Sequence, residues 1–128
     1  MRLLLDTCTF LWIVGGASEL SARAREAFAD PANDALLSAA SAWEIAVKHR
    51  LGKLPLPEPP DSFVPTQRAA HGLTPLAIDE EAALHVGKLP DLHRDPFDRM
   101  LVAQALVGGL VVLTPDDSIR VYPVRTLW

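Results

Sequence analysis

Several residue types are scarce in this chain, and each scarcity excludes a class of protein. Cys8 is the only cysteine among 128 residues, so the chain can form neither an internal disulfide nor a cysteine-based zinc site. The apolar N-terminal stretch is interrupted at Asp6 to Thr9, leaving pieces too short for a secretory core or a membrane span. We therefore expect a protein of the reducing cytoplasm, neither exported nor placed in a membrane.

Positive charge is also in deficit. The chain has 12 lysines and arginines against 16 aspartates and glutamates, which gives a formal net charge of −4 at pH 7. A protein that held nucleic acid by bulk electrostatics alone would carry the opposite balance. Nucleic-acid chemistry remains compatible with this charge if bound cations offset the acidic residues and the basic residues are grouped locally.

The hydrophobic pattern predicts one α/β domain over residues 1–128. Hydrophobic residues make up 49% of the chain, a globular composition, and no internal repeat or low-complexity segment is visible. Strand-like and helix-like segments alternate, which predicts a single compact domain with a parallel sheet and helices on both faces. The predicted strands are 2–5, 35–38, 73–78 (an edge strand, because of Pro75), 110–113 and 121–124. The predicted helices are 7–14, one opened by residues 18–21, 41–51, 61–71, 79–86 and 96–107.

Four acidic residues stand where a hydrophobic stretch ends or a helix begins: Asp6, Glu44, Asp98 and Asp116. Asp6 and Asp116 follow predicted strands, and the strand ends of a parallel sheet face the crevice where ligands bind. Four carboxylates converging there would repel one another, and a divalent cation is the simplest way to hold them together. The pattern therefore predicts a metal-dependent phosphodiesterase.

Three of these four acids also have a structural explanation. Asp6 could cap the helix that follows it, as aspartate does well. Ser41 and Glu44 have the spacing of a capping box, in which a glutamate bonds back to the first residue of the helix. Asp98 would favour the positive end of its helix, although Asp95 is the better cap there. Each signal is weak alone, and the metal hypothesis rests on their combination.

Together these segments resemble the PIN-domain ribonucleases, and more narrowly the VapC-type toxins of bacterial toxin–antitoxin pairs. The resemblance covers nearly the whole chain, and its most specific part is the block from Asp95 to Arg99. Pro115 departs from the small residue that is more usual before the last acid, which leaves the choice between Asp116 and Asp117 open. The matching segments are Leu4-Leu5-Asp6-Thr7, Trp43-Glu44-Ile45 with Lys48 to Leu54, Asp95-Pro96-Phe97-Asp98-Arg99 and Leu113-Thr114-Pro115-Asp116.

The resemblance implies an endoribonuclease that uses Mg²⁺ or Mn²⁺ held by the four acids. A water bound to such a cation loses its proton readily and can attack phosphorus, and one or two ions are both compatible with the sequence. We expect Asp6, Asp98 and Asp116 to coordinate metal directly, and Glu44 to be a ligand or to orient the water. Hydroxyls that could support the ligands or contact phosphate belong to Thr7, Ser41 and Thr114. The alternative is a non-catalytic PIN-like module that binds RNA or protein.

Three partners follow from the resemblance: an RNA substrate, a cognate antitoxin and a second copy of the chain. No RNA-reading motif is present, so the target would be a structured or single-stranded RNA recognised by its shape. The antitoxin would need exposed apolar surface, for which the candidates are the helix from Phe10 to Ile13 and residues 54–60. Basic candidates for RNA contact are Lys48, Arg50, Lys53, Arg94 and Arg99.

Overall fold

Five strands form one sheet in which every neighbouring pair is parallel. The computed structural model describes residues 1–128. In space the strand order is β3-β2-β1-β4-β5, so the sheet grows outward on both sides of its first strand. This arrangement confirms the predicted parallel sheet. The strands are β1 (Arg2–Leu5), β2 (Asp34–Ser38), β3 (Thr74–Leu76), β4 (Val111–Leu113) and β5 (Thr126–Leu127).

Helices connect these strands along the chain. A single 3₁₀ turn, Val86–Lys88, follows the fifth helix. No helix of the protein combines the length and the apolar character that crossing a bilayer requires. The helices are α1 (Thr7–Gly15), α2 (Ala22–Ala29), α3 (Ala39–Arg50), α4 (Pro60–Ala70), α5 (Glu80–His85), α6 (Pro96–Gly108) and α7 (Asp117–Arg120).

Both faces of the sheet are covered, and the central strand β1 shows how the sequence specifies this. Leu3, Leu4 and Leu5 are all completely buried. Because successive side chains of a strand point to opposite faces, Leu3 and Leu5 pack with Phe10 in one core, while Leu4 packs with Leu101 in the other. A strand buried on both faces must be apolar throughout, as β1 is.

The predicted final strand at 121–124 is wrong, because the chain forms a turn there, directly after a short helix. Helix α7, which the sequence analysis missed, leads into a turn in which Tyr122 is buried in the second core. Pro123 cannot donate a ladder hydrogen bond. Pairing with β4 therefore begins later, with Val112 N donating to Arg125 O and Thr114 N donating to Leu127 O.

The register of the central strands aligns the residues that follow them. Leu5, the last residue of β1, lies opposite Leu113, the last residue of β4. Asp6 and Thr114 therefore leave the sheet side by side. On the other flank Leu5 pairs with the penultimate residue of β2, so Ser38 is the neighbour of Asp6 on that side. The carboxyl edge of the sheet thus brings three buried polar residues together.

Candidate active site

Asp6 occupies the sharp junction between β1 and α1 and is only 4% exposed. Its Oδ1 accepts a hydrogen bond from Thr9 N at 2.8 Å, so Asp6 is the N-cap of α1. Its Oδ2 accepts a hydrogen bond from the Thr114 hydroxyl. Burial raises the pKa of Asp6, the hydrogen bonds from Thr114 and Thr9 lower it, and the charge of Asp116 raises it. The capping role of Asp6 accounts for the position of Oδ1, whereas Oδ2 points across the sheet edge towards Thr114.

Asp116 reaches the same edge through the loop after β4. Thr114 Oγ1 accepts a hydrogen bond from Asp116 N at 3.0 Å while it donates to Asp6, so one hydroxyl links the two acids. The Asp116 side chain is exposed and caps α7. Of the two adjacent acids, Asp116 rather than Asp117 is the one whose charge raises the pKa of both Asp6 and Asp98. This proximity favours Asp116 as the last member of the cluster.

Helix α3 begins earlier than the sequence predicts, and this changes the role of Glu44. The Ser38 side chain accepts a hydrogen bond from Ala40 N at 3.0 Å, so Ser38 is the N-cap. The predicted capping box of Ser41 and Glu44 is therefore wrong, because both residues lie inside the helix. A buried glutamate with no capping function needs other partners.

Those partners are hydroxyl groups and one lysine. Thr7 Oγ1 donates to Glu44 Oε1 at 2.6 Å and lies 3.0 Å from Ser41 Oγ. Lys48, one turn further along α3, pairs with Glu44 Oε2. The hydrogen bond to Glu44 raises the pKa of Lys48 against the opposing effect of burial, and the charge of Glu44 raises it further. Lys48 is therefore the protein's own counterion for this carboxylate.

Asp98 lies in the first turn of α6 without capping it. Asp95 is the cap, as predicted, since its Oδ1 accepts hydrogen bonds from Phe97 N at 2.9 Å and Asp98 N at 3.0 Å. Burial and then the charge of Asp95 raise the pKa of Asp98 to about 7. A hydrogen bond from His93 opposes this rise, and the charges of the other nearby acids add to it. Asp98 is thus an acid whose ionised form is disfavoured chiefly by burial.

His93 was missed by the sequence analysis, which treated all four histidines as surface or satisfied residues. His93 Nε2 lies 3.3 Å from Asp98 Oδ2, and His93 Nδ1 lies 2.7 Å from the Tyr122 hydroxyl. The only local signal was that His93 lies five residues before Asp98 in the sequence. Its contact with Tyr122 joins residues 29 positions apart, which no local pattern reveals.

Arg99 serves the fold rather than an exposed surface. Its side chain is 13% exposed. Its guanidinium donates to Pro90 O at 2.9 Å and to the Tyr122 hydroxyl at 2.9 Å, with longer bonds to the carbonyls of Val86 and His93. The other basic candidates are more accessible: Lys48 is 43% exposed, and Arg50, Lys53 and Arg94 lie on the surface.

Cys8 lies at the exposed start of α1 beside the acidic cluster. Partial burial and the charges of Asp6 and Glu44 raise the pKa of its thiol to about 11. The thiol therefore stays protonated at neutral pH, and it is unsuited to act as a nucleophile.

The donor set at this edge fits a hard divalent cation. The four acids offer only oxygen ligands, as Mg²⁺ and Mn²⁺ prefer. No group of three or more acidic, histidine or cysteine side chains in this structure is arranged to hold a metal ion. Mg²⁺ usually keeps several waters and is held directly by one or two carboxylates. A cation at this edge would therefore be held by one or two carboxylates and its own waters rather than by a protein cage.

Comparison with known proteins gives the class of this fold. The family model of the PIN domain matches residues 3–124, so the chain belongs to the PIN domain family. This confirms the family resemblance drawn from the sequence motifs.

Individual relatives point in the same direction. A stretch of 56 residues is 54% identical to Ribonuclease VapC16 of Mycobacterium tuberculosis, covering 44% of this chain and 40% of that protein. The matched stretch thus spans less than half the length of that curated relative. The fold is similar to VapBC2 from Rickettsia felis bound to a promoter DNA fragment (TM-score 0.74, 12% identity, 100% of this chain and 99% of that chain). It is also similar to DNA-bound VapBC from Salmonella typhimurium (TM-score 0.70, 20% identity, 99% and 97% covered).

Proposed function

We propose that residues 1–128 form one PIN domain that acts in the cytoplasm as a metal-dependent endoribonuclease, the toxin of a toxin–antitoxin pair. The observation that carries this proposal is a set of links between the four acids. The Thr114 hydroxyl connects Asp6 to Asp116, and the charges of Asp116 and Glu44 add to the burial that raises the pKa of Asp98. The identity with a relative named as a ribonuclease, and the fold shared with VapBC complexes, support the same assignment.

The four acids would divide the work of holding the cation. Asp6, Asp98 and Asp116 would hold it directly or through its waters, and Glu44 would orient the attacking water. A bound Mg²⁺ or Mn²⁺ would supply an activated water and neutralise charge on the leaving oxygen. The supporting hydroxyls, each already hydrogen-bonded within the cluster, are Thr7, Ser41 and Thr114.

RNA would reach this acidic edge along the accessible basic residues. Lys48, Arg50 and Lys53 lie on or just beyond α3, the helix that carries Glu44, and Arg94 lies four residues before Asp98. Contacts of such residues with phosphate would set the position of the strand without reading its sequence. We do not assign Arg99 to RNA contact, because its guanidinium already binds backbone carbonyls.

The test is induced expression of the wild type and of Asp98→Asn, with total RNA from both cultures separated on a gel. We expect growth arrest and discrete new RNA fragments with the wild type only. Asp61→Asn, a substitution of an exposed aspartate in α4, is the matched control and should behave as wild type. Growth arrest with intact RNA in the wild type would instead favour the alternative, a PIN-like module that binds RNA or protein without cleavage.

We also propose a homodimer, formed through an exposed apolar stripe on α3. Trp43, Val47 and Leu51 recur at intervals of four residues and are 52%, 36% and 62% exposed. Light scattering should give twice the 13.9 kDa mass of one chain. Leu51→Glu should give the monomer mass, while Leu84→Glu, at an equally exposed leucine on α5, should not. A monomeric wild type at micromolar concentration would refute this assignment.

The antitoxin would bind an apolar groove beside α1. The prediction that Phe10 belongs to this surface is wrong, because its side chain is fully buried against Phe63. A cavity of about 280 Å³ lies nearby, with Trp12, Leu20 and Phe28 in its lining. Its apolar walls suit a partner helix or strand with apolar anchors. Leu20 is buried in the core, so its substitution would also affect folding. The better test is therefore Trp12→Glu, which should abolish co-purification of an antitoxin encoded beside this chain.

A further inference from the structure

A polar cavity adjoins the acidic cluster, and of its lining only Arg94 has been given a function above. Its volume is about 540 Å³, and its lining is Asp91, Leu92, His93, Arg94 and Arg99. This size is in the range of pockets that hold one small-molecule group. The cavity is formed by the loop between the 3₁₀ turn and α6, so it lies directly before Asp98 in the chain.

The loop that forms this cavity is held in place from inside. The buried guanidinium of Arg99 donates to three carbonyls of the segment from Val86 to His93 and to the Tyr122 hydroxyl. Tyr122, 3% exposed, in turn contacts the ring of His93. These contacts preorganise the cavity, so a ligand would bind without first ordering the loop.

The lining chemistry suits one nucleotide of a single strand. Leu92 is 49% exposed and offers an apolar surface to the face of a base. Arg94 is exposed at the rim, where its guanidinium can meet a phosphate or stack on a base. Arg99 pairs with Asp91 at 3.9 Å, so Arg94 supplies the net positive charge of this cavity.

His93 joins the cavity to the acidic cluster. His93 lines the cavity, and its Nε2 lies 3.3 Å from Asp98 Oδ2. A nucleotide in the cavity would therefore be an immediate neighbour of the scissile phosphate rather than a distant anchor. Its base would be held apart from the stack, which is how proteins read single-stranded RNA.

We propose that this cavity is a nucleotide subsite that binds the base flanking the scissile bond and sets the cleavage preference. The inference rests on the proposed ribonuclease function and deepens it. Leu92 would contact the base face and Arg94 the adjoining phosphate, while Arg99 and Tyr122 hold the loop.

The test uses a random-sequence RNA pool cleaved with Mg²⁺, with cut sites mapped by sequencing of the new ends. Wild type should show a base preference at one position beside the cut. Leu92→Ala and Arg94→Ala should flatten that preference and lower the cleavage rate about tenfold, the size expected for one lost stacking or phosphate contact. Arg23→Ala, an exposed arginine on α2, is the matched control and should keep the wild-type profile.

A binding measurement separates this inference from the proposed activity. Fluorescence anisotropy would follow a labelled random RNA of about 15 nucleotides, a length that spans a typical single-strand site, on an Asp6→Asn background. We expect Arg94→Ala and Leu92→Ala to weaken binding about tenfold, and Arg23→Ala to leave it unchanged. Weaker binding in these variants with no cleavage by wild type would refute the nuclease and the cleavage preference, and would keep the cavity only as a nucleotide-binding site. Unchanged binding and unchanged cleavage preference in both variants would overturn the subsite.

Discussion

Replacing Asp98 with asparagine should stabilise the protein in the absence of metal, although Asp98 belongs to the proposed site. Its side chain is 17% exposed, and burial together with the charge of Asp95 raises its pKa from 3.8 to about 7. For an acid whose folded pKa is raised, the stability contribution is fully present below the unfolded pKa. It then falls as pH rises and reaches its lowest level above the folded pKa. Asparagine does not ionise, so it avoids this loss.

The magnitude follows from the difference between the two pKa values. One pKa unit corresponds to about 1.4 kcal/mol, so a rise of about 3 units costs the wild type at most about 4 kcal/mol near pH 8. Near pH 5.5 the same reasoning gives about half of that cost. Water reaches part of the Asp98 carboxylate, and this hydration reduces both of these energetic costs. We therefore expect Asp98→Asn to gain roughly 2 kcal/mol near pH 8 and roughly 1 kcal/mol near pH 5.5.

Urea unfolding in EDTA at these two pH values measures the effect. Asp61→Asn, at an exposed aspartate of α4, is the control and should change the free energy of unfolding by less than about 0.5 kcal/mol at either pH. Asp98→Asn proving less stable than wild type near pH 8 would refute the reasoning. A stabilisation of equal size at both pH values would also refute it, because the gain would not then come from the charge.

Three further predictions concern the metal, the hydroxyl support and the core. Mn²⁺ at a hundredfold excess over its Kd should stabilise the wild type by about 2.7 kcal/mol in thermal unfolding. The same concentration should stabilise Asp98→Asn far less. Equal stabilisation of both proteins would contradict a role for Asp98 in holding metal. Thr114→Val should cost about 1–3 kcal/mol, because its buried hydroxyl serves both Asp6 and the backbone of Asp116, and Thr114→Ser should restore most of it. Phe10→Ala should cost about 3–5 kcal/mol at a fully buried position, whereas Trp43→Ala, half exposed, should cost much less in urea unfolding.

The elements that the sequence predicted well are those whose signals are local. Strand β1 is a run of leucines, and a run that is apolar at every position indicates burial on both faces of a sheet. Helix α6 begins with Asp95 and Pro96 and ends before Gly109, whose φ of +65° suits a left-handed C-cap. Pro75 correctly indicated that β3 is an edge strand, because a proline cannot complete a central ladder.

The candidate site was predictable in part for the same reason. Asp6 and Asp116 directly follow buried strands, so their position at the carboxyl edge was implied by the alternation of strands and helices. The sequence correctly distinguished Asp98 from the N-cap of α6, because Asp95 precedes Pro96 at the usual cap position. Their assignment as metal ligands remains a prediction, which the experiments above test.

Tertiary structure alone decided how these local pieces meet. The strand order and the register place Thr114 against Asp6, residues 108 positions apart, and Thr7 against Glu44. The contact of His93 with Tyr122 likewise depends on α7, a helix of one turn whose pattern is too short to recognise. Periodicity and capping depend on neighbours within a few residues, so the sequence by itself determined the longer helices, the buried strands and the acids at their ends. Which of those acids share a hydroxyl, a lysine or a histidine depends on packing between distant segments, which only the folded chain establishes.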